Sequence, residues 1–270
     1  MAEGLLLVGC GKMGGAMLDG WLAGGTDPAS VVVVEPAEAL RARLGSTGVT
    51  TVADASGIPD GFAPDCVIMA VKPQQMATVT PDYARFAGSG TQFLSIAAGT
   101  TIGFFEDVLG KEAAIVRTMP NTPAAVGKGM MVACPNANVA DAMKHRATDL
   151  LAAVGEVAWL SDEGMMDAVT AVSGSGPAYV FHLIETLAEA GVVAGLPADI
   201  SARLALQTVY GAGCLARDAD DEPSQLRVNV TSPGGTTAAA LEVLMGAGGL
   251  KPLMERAVAA ATQRGKELGG

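Results

Sequence analysis

Aromatic side chains make up only 4% of this 270-residue chain, although hydrophobic residues account for 50% of it. Its core must therefore be built from Ala, Val, Leu, Ile and Met. Histidine occurs twice, as His145 and His182, each reading as an ordinary helix residue, and neither has metal-like neighbours. The four cysteines, Cys10, Cys66, Cys134 and Cys214, are widely spread without paired spacing, so neither a disulfide framework nor a zinc site is expected. Positive charge is short, with 17 Lys and Arg against 28 Asp and Glu and a net charge of −11. Such a surface repels a nucleic-acid backbone and an anionic membrane alike. No run reaches the roughly 18 uncharged apolar residues of a membrane helix. The start, Met1-Ala2-Glu3-Gly4, lacks the basic start and apolar stretch of a signal peptide, and a cytoplasmic location is expected.

The chain is long enough for two domains. Leu5 to Val8, Val31 to Val34, Cys66 to Ala70, Phe93 to Ile96 and Ala114 to Val116 are continuous apolar runs of strand length, the pattern of a parallel sheet covered on both faces. Helix-length stretches such as Met13 to Ala23 and Glu38 to Leu44 lie between them, and Met130 to Ala133 and Val157 to Leu160 can extend the sheet around a helix at Asp141 to Val154. This alternation predicts βαβ units in an α/β Rossmann-type doubly wound sheet. From Asp162 the strand pattern stops. Helices are predicted from Ser175, from Pro197 to about Ala216, from about Thr237 to Met245 and from about Leu250 to Leu268. The expected organisation is thus a dinucleotide-binding domain over residues 1–161 and an all-α domain over 162–270. A helical domain this small, rich in Ala and Gly, would have a poor core alone, and a second subunit is expected to complete it.

Gly9-Cys10-Gly11-Lys12-Met13-Gly14 follows the first strand and opens the first helix, the context that gives a G-x-G-x-x-G match its meaning. Gly9 permits the tight turn, Gly11 lets a pyrophosphate approach the backbone, and Gly14 permits close helix–strand packing. Glu35 ends the second strand about twenty positions later, where a carboxylate can accept hydrogen bonds from ribose hydroxyls. A 2′-phosphate would meet a like charge there, so NADH is favoured over NADPH; the plain alternative is a solvated glutamate at a strand end. Ala70-Val71-Lys72-Pro73 and Ala97-Ala98-Gly99-Thr100 fall at carboxyl ends of strands, where ligands of such folds bind. Small residues there leave room for a nicotinamide and its ribose. Lys72 reads as a donor to ribose or phosphate oxygen rather than as a proton donor.

Two further segments, Ser173-Gly174-Ser175-Gly176-Pro177-Ala178 and Ser232-Pro233-Gly234-Gly235-Thr236-Thr237, place Ser, Thr and Gly at helix starts. Free N–H groups and the positive end of a helix dipole suit a carboxylate or phosphate. Simple helix capping is the plainer reading of either copy alone, and the one preferred for Ser175. Met119-Pro120-Asn121-Thr122-Pro123 is either a rigid turn or a segment through which Asn121 orients neighbouring loops.

With these segments in this order, together with Val8 to Gly14 and Ala70 to Pro73, nearly the whole chain resembles pyrroline-5-carboxylate reductase. That resemblance implies NAD(P)H-dependent reduction of 1-pyrroline-5-carboxylate to L-proline, the last step of proline biosynthesis. It also implies a Rossmann domain followed by a helical dimerisation domain, and a homodimer or larger homo-oligomer. Family cofactor contacts fall on the Gly9 to Gly14 loop, Ala70, Lys72, Pro73, Ala97 and Asn229, and Val71, between Ala70 and Lys72, is expected to belong to the same cofactor site. The substrate loop falls on Ser232, Gly235, Thr236 and Thr237. With no His or Asp in these substrate motifs, the expected mechanism takes the imine proton from solvent, with Thr237 accepting a hydrogen bond from the ring N–H. Members that favour NADPH often carry a small hydroxyl residue where Glu35 stands. The acidic stretch Asp218 to Glu222 does not align unambiguously with the glutamate that often precedes the family's Pro-Gly. A hydroxyacid dehydrogenase of similar plan would carry a catalytic lysine on an interdomain helix, and Pro177 to Ala190 has none. A non-catalytic dinucleotide-binding regulator would have no need of the second Gly-rich helix start.

Overall fold

The structure, a computed structural model, describes residues 4–88 and 90–269. Its sheet comprises β1 (Leu5–Val8), β2 (Val31–Val34), β3 (Thr50–Val52), β4 (Cys66–Met69), β5 (Gln92–Ser95), β6 (Ala114–Met119), β7 (Gly129–Pro135) and β8 (Gly155–Trp159). The spatial order is β3-β2-β1-β4-β5-β6-β7-β8. Every neighbouring pair is parallel except β6 with β7, whose short connection cannot make the crossover that a parallel pair requires.

The continuous apolar strands have the cause the sequence suggests. Leu5 and Leu7 enter one core cluster while Leu6 and Val8 enter another on the opposite face. Helices α1 (Lys12–Ala23) and α5 (Asp141–Ala152) cover the first face through Met17, Leu18, Trp21, Ala147 and Leu151. The Trp21 indole N–H donates to the Leu150 carbonyl at 2.8 Å, so the bulkiest ring of α1 is also satisfied. Beyond α2 (Glu38–Leu44), helices α3 (Pro73–Val79) and α4 (Ile102–Leu109) cover the second face through Met76, Ile102, Phe105 and Leu109. Strand order reverses at the β1/β4 boundary, and a doubly wound sheet opens its ligand crevice at such a point, beyond the carboxyl ends of the strands.

The sequence reading omits β3, because Thr50-Thr51-Val52 is a short, partly exposed edge strand without an apolar run. The first compact unit runs through Gly174 and takes in the chain from Ala261 onward; the second is Ser175–Ala260. The expected boundary after residue 161 thus falls earlier than this division. Strand patterning does stop there, but α6 (Met166–Val169) and the π-helical turn Thr170–Gly174 still bury Met166 and Ala171. Met166 lies in the same cluster as Ile115 and Phe105.

The second unit contains α7 (Gly176–Val193), α8 (Ala198–Asp218), α9 (Pro223–Asn229), α10 (Thr236–Leu244) and the start of α11 (Leu250–Gly269). Helix α9 has no counterpart in the sequence reading, where the acidic, proline-containing approach reads as a break. Helices α7 and α8 meet at small residues: the Ser201 hydroxyl donates to the Ala188 carbonyl at 2.6 Å, and a Cβ at Gly191 would overlap that hydroxyl. Across α7 to α10 only Ser201 and Ala205 are buried, while Phe181, Tyr210 and Val243 are 58%, 65% and 75% exposed. No described helix is long and apolar enough to cross a membrane.

Candidate active site

In the first unit the loops after β1, β2 and β4 come together because Val8 is in register with Val34 on one side and Met69 on the other. Gly9 adopts φ +90° and donates its N–H to the Val34 carbonyl at 2.8 Å. A side chain there would press on Val71 Cγ1 and the Ala70 carbonyl. Gly11 caps α1 with extended backbone and no side-chain hydrogen bond, and a Cβ on it would meet nothing within 4 Å. A Cβ on Gly14, by contrast, would lie 2.5 Å from the Gly9 carbonyl oxygen and 3.2 Å from Ala70 Cβ. The three glycines therefore answer to a turn, an open approach and a close packing contact. The first-turn N–H groups at Lys12 and Met13 have no intrahelical acceptor, and they face no acidic residue of their own turn. Cys10 is buried, and burial, aided by the Glu35 carboxylate, pushes its thiol pKa up.

Glu35 is 7% exposed, not a solvated strand end. Its Oε2 accepts the Cys10 N–H at 2.8 Å and its Oε1 accepts the Ala37 N–H at 2.9 Å. Arg41 turns its guanidinium onto the Glu35 and Pro36 carbonyls, both at 2.7 Å. The carboxylate is thus tied to the glycine loop, and each oxygen keeps a lone pair for a ribose hydroxyl.

Ala70 donates to the Val8 carbonyl at 2.8 Å, bringing the β4 loop against the β1 loop. Val71 follows half-buried; Lys72 is the exposed N-cap of α3, and Pro73 takes its first helical position, where a missing N–H costs nothing. At the end of β5, Ala97 is buried and donates to Ser95 Oγ at 3.3 Å. A cavity of about 570 Å³, lined by Leu5, Trp21, Asp27 and Asp149, opens instead by the amino end of β1, away from these loops.

Asn121 does the orienting that the sequence left as an alternative to a rigid turn. Its Nδ2 donates to the Ser173 carbonyl and hydroxyl at 3.2 and 3.3 Å, and its Oδ1 accepts the Met130 N–H at 2.8 Å. Thr122–Val126 nevertheless forms a 3-10 turn with proline near its start, so one segment has both properties.

In the second unit, Gly234 at φ +69° reverses the chain after Pro233, and the Gly235 N–H donates to the Ser232 carbonyl at 3.0 Å. Gly235 caps α10 without a side-chain hydrogen bond, which leaves Thr236 and Thr237 as the first helical residues. Ser232 and Thr236 are exposed and Thr237 is half-buried. Asn229 closes α9, with its Nδ2 donating to Asp221 at 3.1 Å and its Oδ1 accepting from Gln225 at 2.7 Å. Asp221 is therefore the carboxylate of the acidic stretch that reaches Asn229. Ser175 occupies the N-cap of α7, but its side chain makes no capping hydrogen bond, so the preferred capping role is not the one it plays.

Two residues escaped the sequence reading. Arg117 on β6 and Glu163, in the turn after β8, form a 2.7 Å ion pair across a separation of 46 residues. The available signal was an arginine inside an apolar strand, a buried charge that needs a partner. Among the described residues no group of three or more His, Cys, Asp or Glu could hold a metal ion.

Residues 5–99 match the family model described as NADP oxidoreductase coenzyme F420-dependent, and residues 163–268 match that described as pyrroline-5-carboxylate reductase dimerisation. A pyrroline-5-carboxylate reductase of Pseudomonas aeruginosa is 40% identical over 266 residues, covering 98% of this chain and 96% of that protein. Among solved structures, a pyrroline-5-carboxylate reductase from Coxiella burnetii superposes with a TM-score of 0.94 at 36% identity, covering both chains fully. A Plasmodium falciparum pyrroline carboxylate reductase with NADP bound gives 0.82 at 32% identity, over 99% of this chain and 98% of that one. A glycine loop, a small-residue helical unit and end-to-end identity of this order have one common source: the chain belongs to the pyrroline-5-carboxylate reductase family.

Proposed function

We propose that the protein reduces 1-pyrroline-5-carboxylate to L-proline, using a reduced nicotinamide dinucleotide that donates the hydride. The observation that carries this reading is the pairing of an open glycine loop in one unit with an uncapped, uncharged helix start in the other. Gly9 to Gly14, with the N–H groups of Lys12 and Met13, hold the pyrophosphate, and Glu35 accepts from the adenosine ribose. Ala70, Val71, Pro73 and Ala97 leave room for the nicotinamide side, where Lys72 supplies a donor; Asn229, in the helical unit, is assigned to the cofactor by the family resemblance.

Ser232, Gly235, Thr236 and Thr237 bind the substrate carboxylate through hydroxyls and first-turn N–H groups, which need no Arg or Lys. This fixes the ring for attack, which is catalysis by positioning. Hydride adds to the imine carbon, the C=N π pair moves to nitrogen, and nitrogen keeps the proton it took from solvent. Thr237 accepts a hydrogen bond from that N–H. No His or Asp lies within the substrate motif, which is why the proton is assigned to solvent. Oxidation of NADH or NADPH followed at 340 nm with pyrroline-5-carboxylate, beside a hydroxyacid control, tests the assignment. Activity on the hydroxyacid alone would overturn it.

The proposal extends to a preference for NADH, because a 2′-phosphate brought to the end of β2 would meet the like charge of the Glu35 carboxylate. Replacing Glu35 with Ser is expected to move the NADPH/NADH ratio of kcat/KM upward by about tenfold, the scale of one close like-charge contact. The ratio is the readout, since losing the Cys10 and Ala37 contacts weakens both cofactors together. An unchanged ratio, or a wild-type preference for NADPH, sinks this part of the proposal.

The exposed apolar faces of α7, α8 and α10 suit a second copy of the chain, and larger exposed patches of this kind mark interfaces. Sedimentation at micromolar concentration is expected to return at least twice the protomer mass; a monomer refutes the assembly. No disulfide joins the four cysteines, which suits a reducing compartment, and a cytoplasmic location completes the reading.

A further inference from the structure

Among the described strands Arg117 is the only cationic residue, and it is 6% exposed. Its guanidinium donates to Glu163 Oε1 at 2.7 Å, and the same oxygen accepts the Ile102 N–H at 2.8 Å. With the Arg117 side chain 8% exposed and that of Glu163 28% exposed, the pair is a weak source of stability, because desolvating the guanidinium offsets much of the attraction. What the pair does secure is a place. Ile102 opens α4 immediately after the Ala97–Thr101 loop, so Glu163 pins the far end of that loop. Thr101 Oγ1 adds to the same end by accepting the Phe104 N–H at 3.2 Å. The near end is pinned by Ile96 N–H on the Met69 carbonyl and Ala97 N–H on Ser95 Oγ. Between the two anchors Gly99 makes its turn at φ +75°.

We infer that Glu163, oriented by Arg117, is a positioning residue that holds the Ala97–Thr101 loop against the nicotinamide end of the cofactor and thereby sets the hydride-transfer distance. This rests on the reading that Ala97 lines the cofactor crevice. The carboxylate is suited to the task because a charged acceptor holds a backbone N–H more firmly than a neutral one. Arg117 fixes its rotamer through the 2.7 Å ion pair.

Removing Glu163 alone strands a buried guanidinium, so the test compares two double variants that carry no unpaired charge. Arg117→Met with Glu163→Gln keeps an oxygen for Ile102; Arg117→Met with Glu163→Leu does not. The leucine double is expected to bind reduced cofactor about tenfold more weakly by nicotinamide fluorescence, with a fall in kcat of tenfold to a hundredfold, the scale of a small misplacement of reactants. Its deuterium isotope effect on kcat with 4-deuterated cofactor should rise, while KM for the imine changes less than twofold. The glutamine double should recover most of each loss. A fall in melting temperature alone, with cofactor affinity, kcat and isotope effect at wild-type values in both doubles, overturns the inference. If the doubles do not fold, Arg117→Met alone decides it, since it leaves the partly exposed Glu163 carboxylate without the group that orients it: lower cofactor affinity and kcat with a raised isotope effect support the inference, and wild-type values of all three overturn it. Cofactor affinity is measured without imine, so a wild-type protein that binds NADH or NADPH yet leaves pyrroline-5-carboxylate untouched would refute the proposed reaction and still leave this comparison decisive.

Discussion

A Gly14→Ala variant is expected to melt at a lower temperature and to bind reduced dinucleotide tenfold to a hundredfold more weakly. The added Cβ would lie 2.5 Å from the Gly9 carbonyl oxygen and 3.2 Å from Ala70 Cβ. The nearer of these is backbone, and Gly9 is itself held by its bond to Val34, so neither can step aside as a flexible side chain would. Overpacking of this kind costs about 1–3 kcal/mol, and at about 1.4 kcal/mol per factor of ten that cost passes directly into affinity if α1 tilts away from β1. The Gly11→Ala variant separates this from a general intolerance of substitution. Nothing lies within 4 Å of that Cβ, so its melting temperature should stay near wild type while cofactor binding still falls, because the methyl fills the space a pyrophosphate needs. Equal effects on stability from both variants, or wild-type affinity in Gly14→Ala, would contradict the separate roles assigned to the two glycines.

That contrast also shows what the order of residues discloses and what it withholds. The glycine roles, the central strands and the long helices are legible because each is local: a fully apolar tetrad such as Val31–Val34 must have both faces covered, and a G-x-G-x-x-G must join a strand to a helix. Edge strand β3 is illegible for the converse reason, since a strand with one neighbour and partial exposure has no need of an apolar run. Helix α9 hides behind Asp218 to Pro223, where acidity and proline signal a break although Pro223 simply starts the next helix. Glu35 shows the limit within a correctly found motif. Its position at the end of β2 is readable, but its two backbone partners, Cys10 and Ala37, lie on different loops and depend on the β1–β2 register. The Arg117–Glu163 pair and the Asn121 bonds to Ser173 and Met130 are further removed, because their partners are brought together only by the folded sheet. Pattern reading finds elements whose physics is periodic or contiguous, and it misses ties between elements.

Replacing Thr237 with Ala is expected to lower kcat by tenfold to a thousandfold, the scale for losing one oriented polar group beside a reacting centre. Thr237 is the second residue of α10 and is only half-buried, and no capping hydrogen bond from a side chain is lost with it, so folding stability should change by no more than about 0.5 kcal/mol. The first-turn N–H groups and the Ser232 and Thr236 hydroxyls remain, so carboxylate binding, read as KM for the imine, should shift much less than kcat. Thr237→Ser keeps the hydroxyl and should restore most of the rate. This pattern discriminates between the two uses of a helix start. A hydroxyl that served only to bind the anion would, on removal, raise KM and leave kcat untouched, because the interaction would be equal in the ground and transition states. A hydroxyl that receives the ring N–H has no such bond to the neutral imine and gains it only when nitrogen is protonated to the iminium that accepts hydride, so its loss appears in kcat. Wild-type kcat in Thr237→Ala would confine the residue to anion binding and leave the ring nitrogen without a protein partner in this motif.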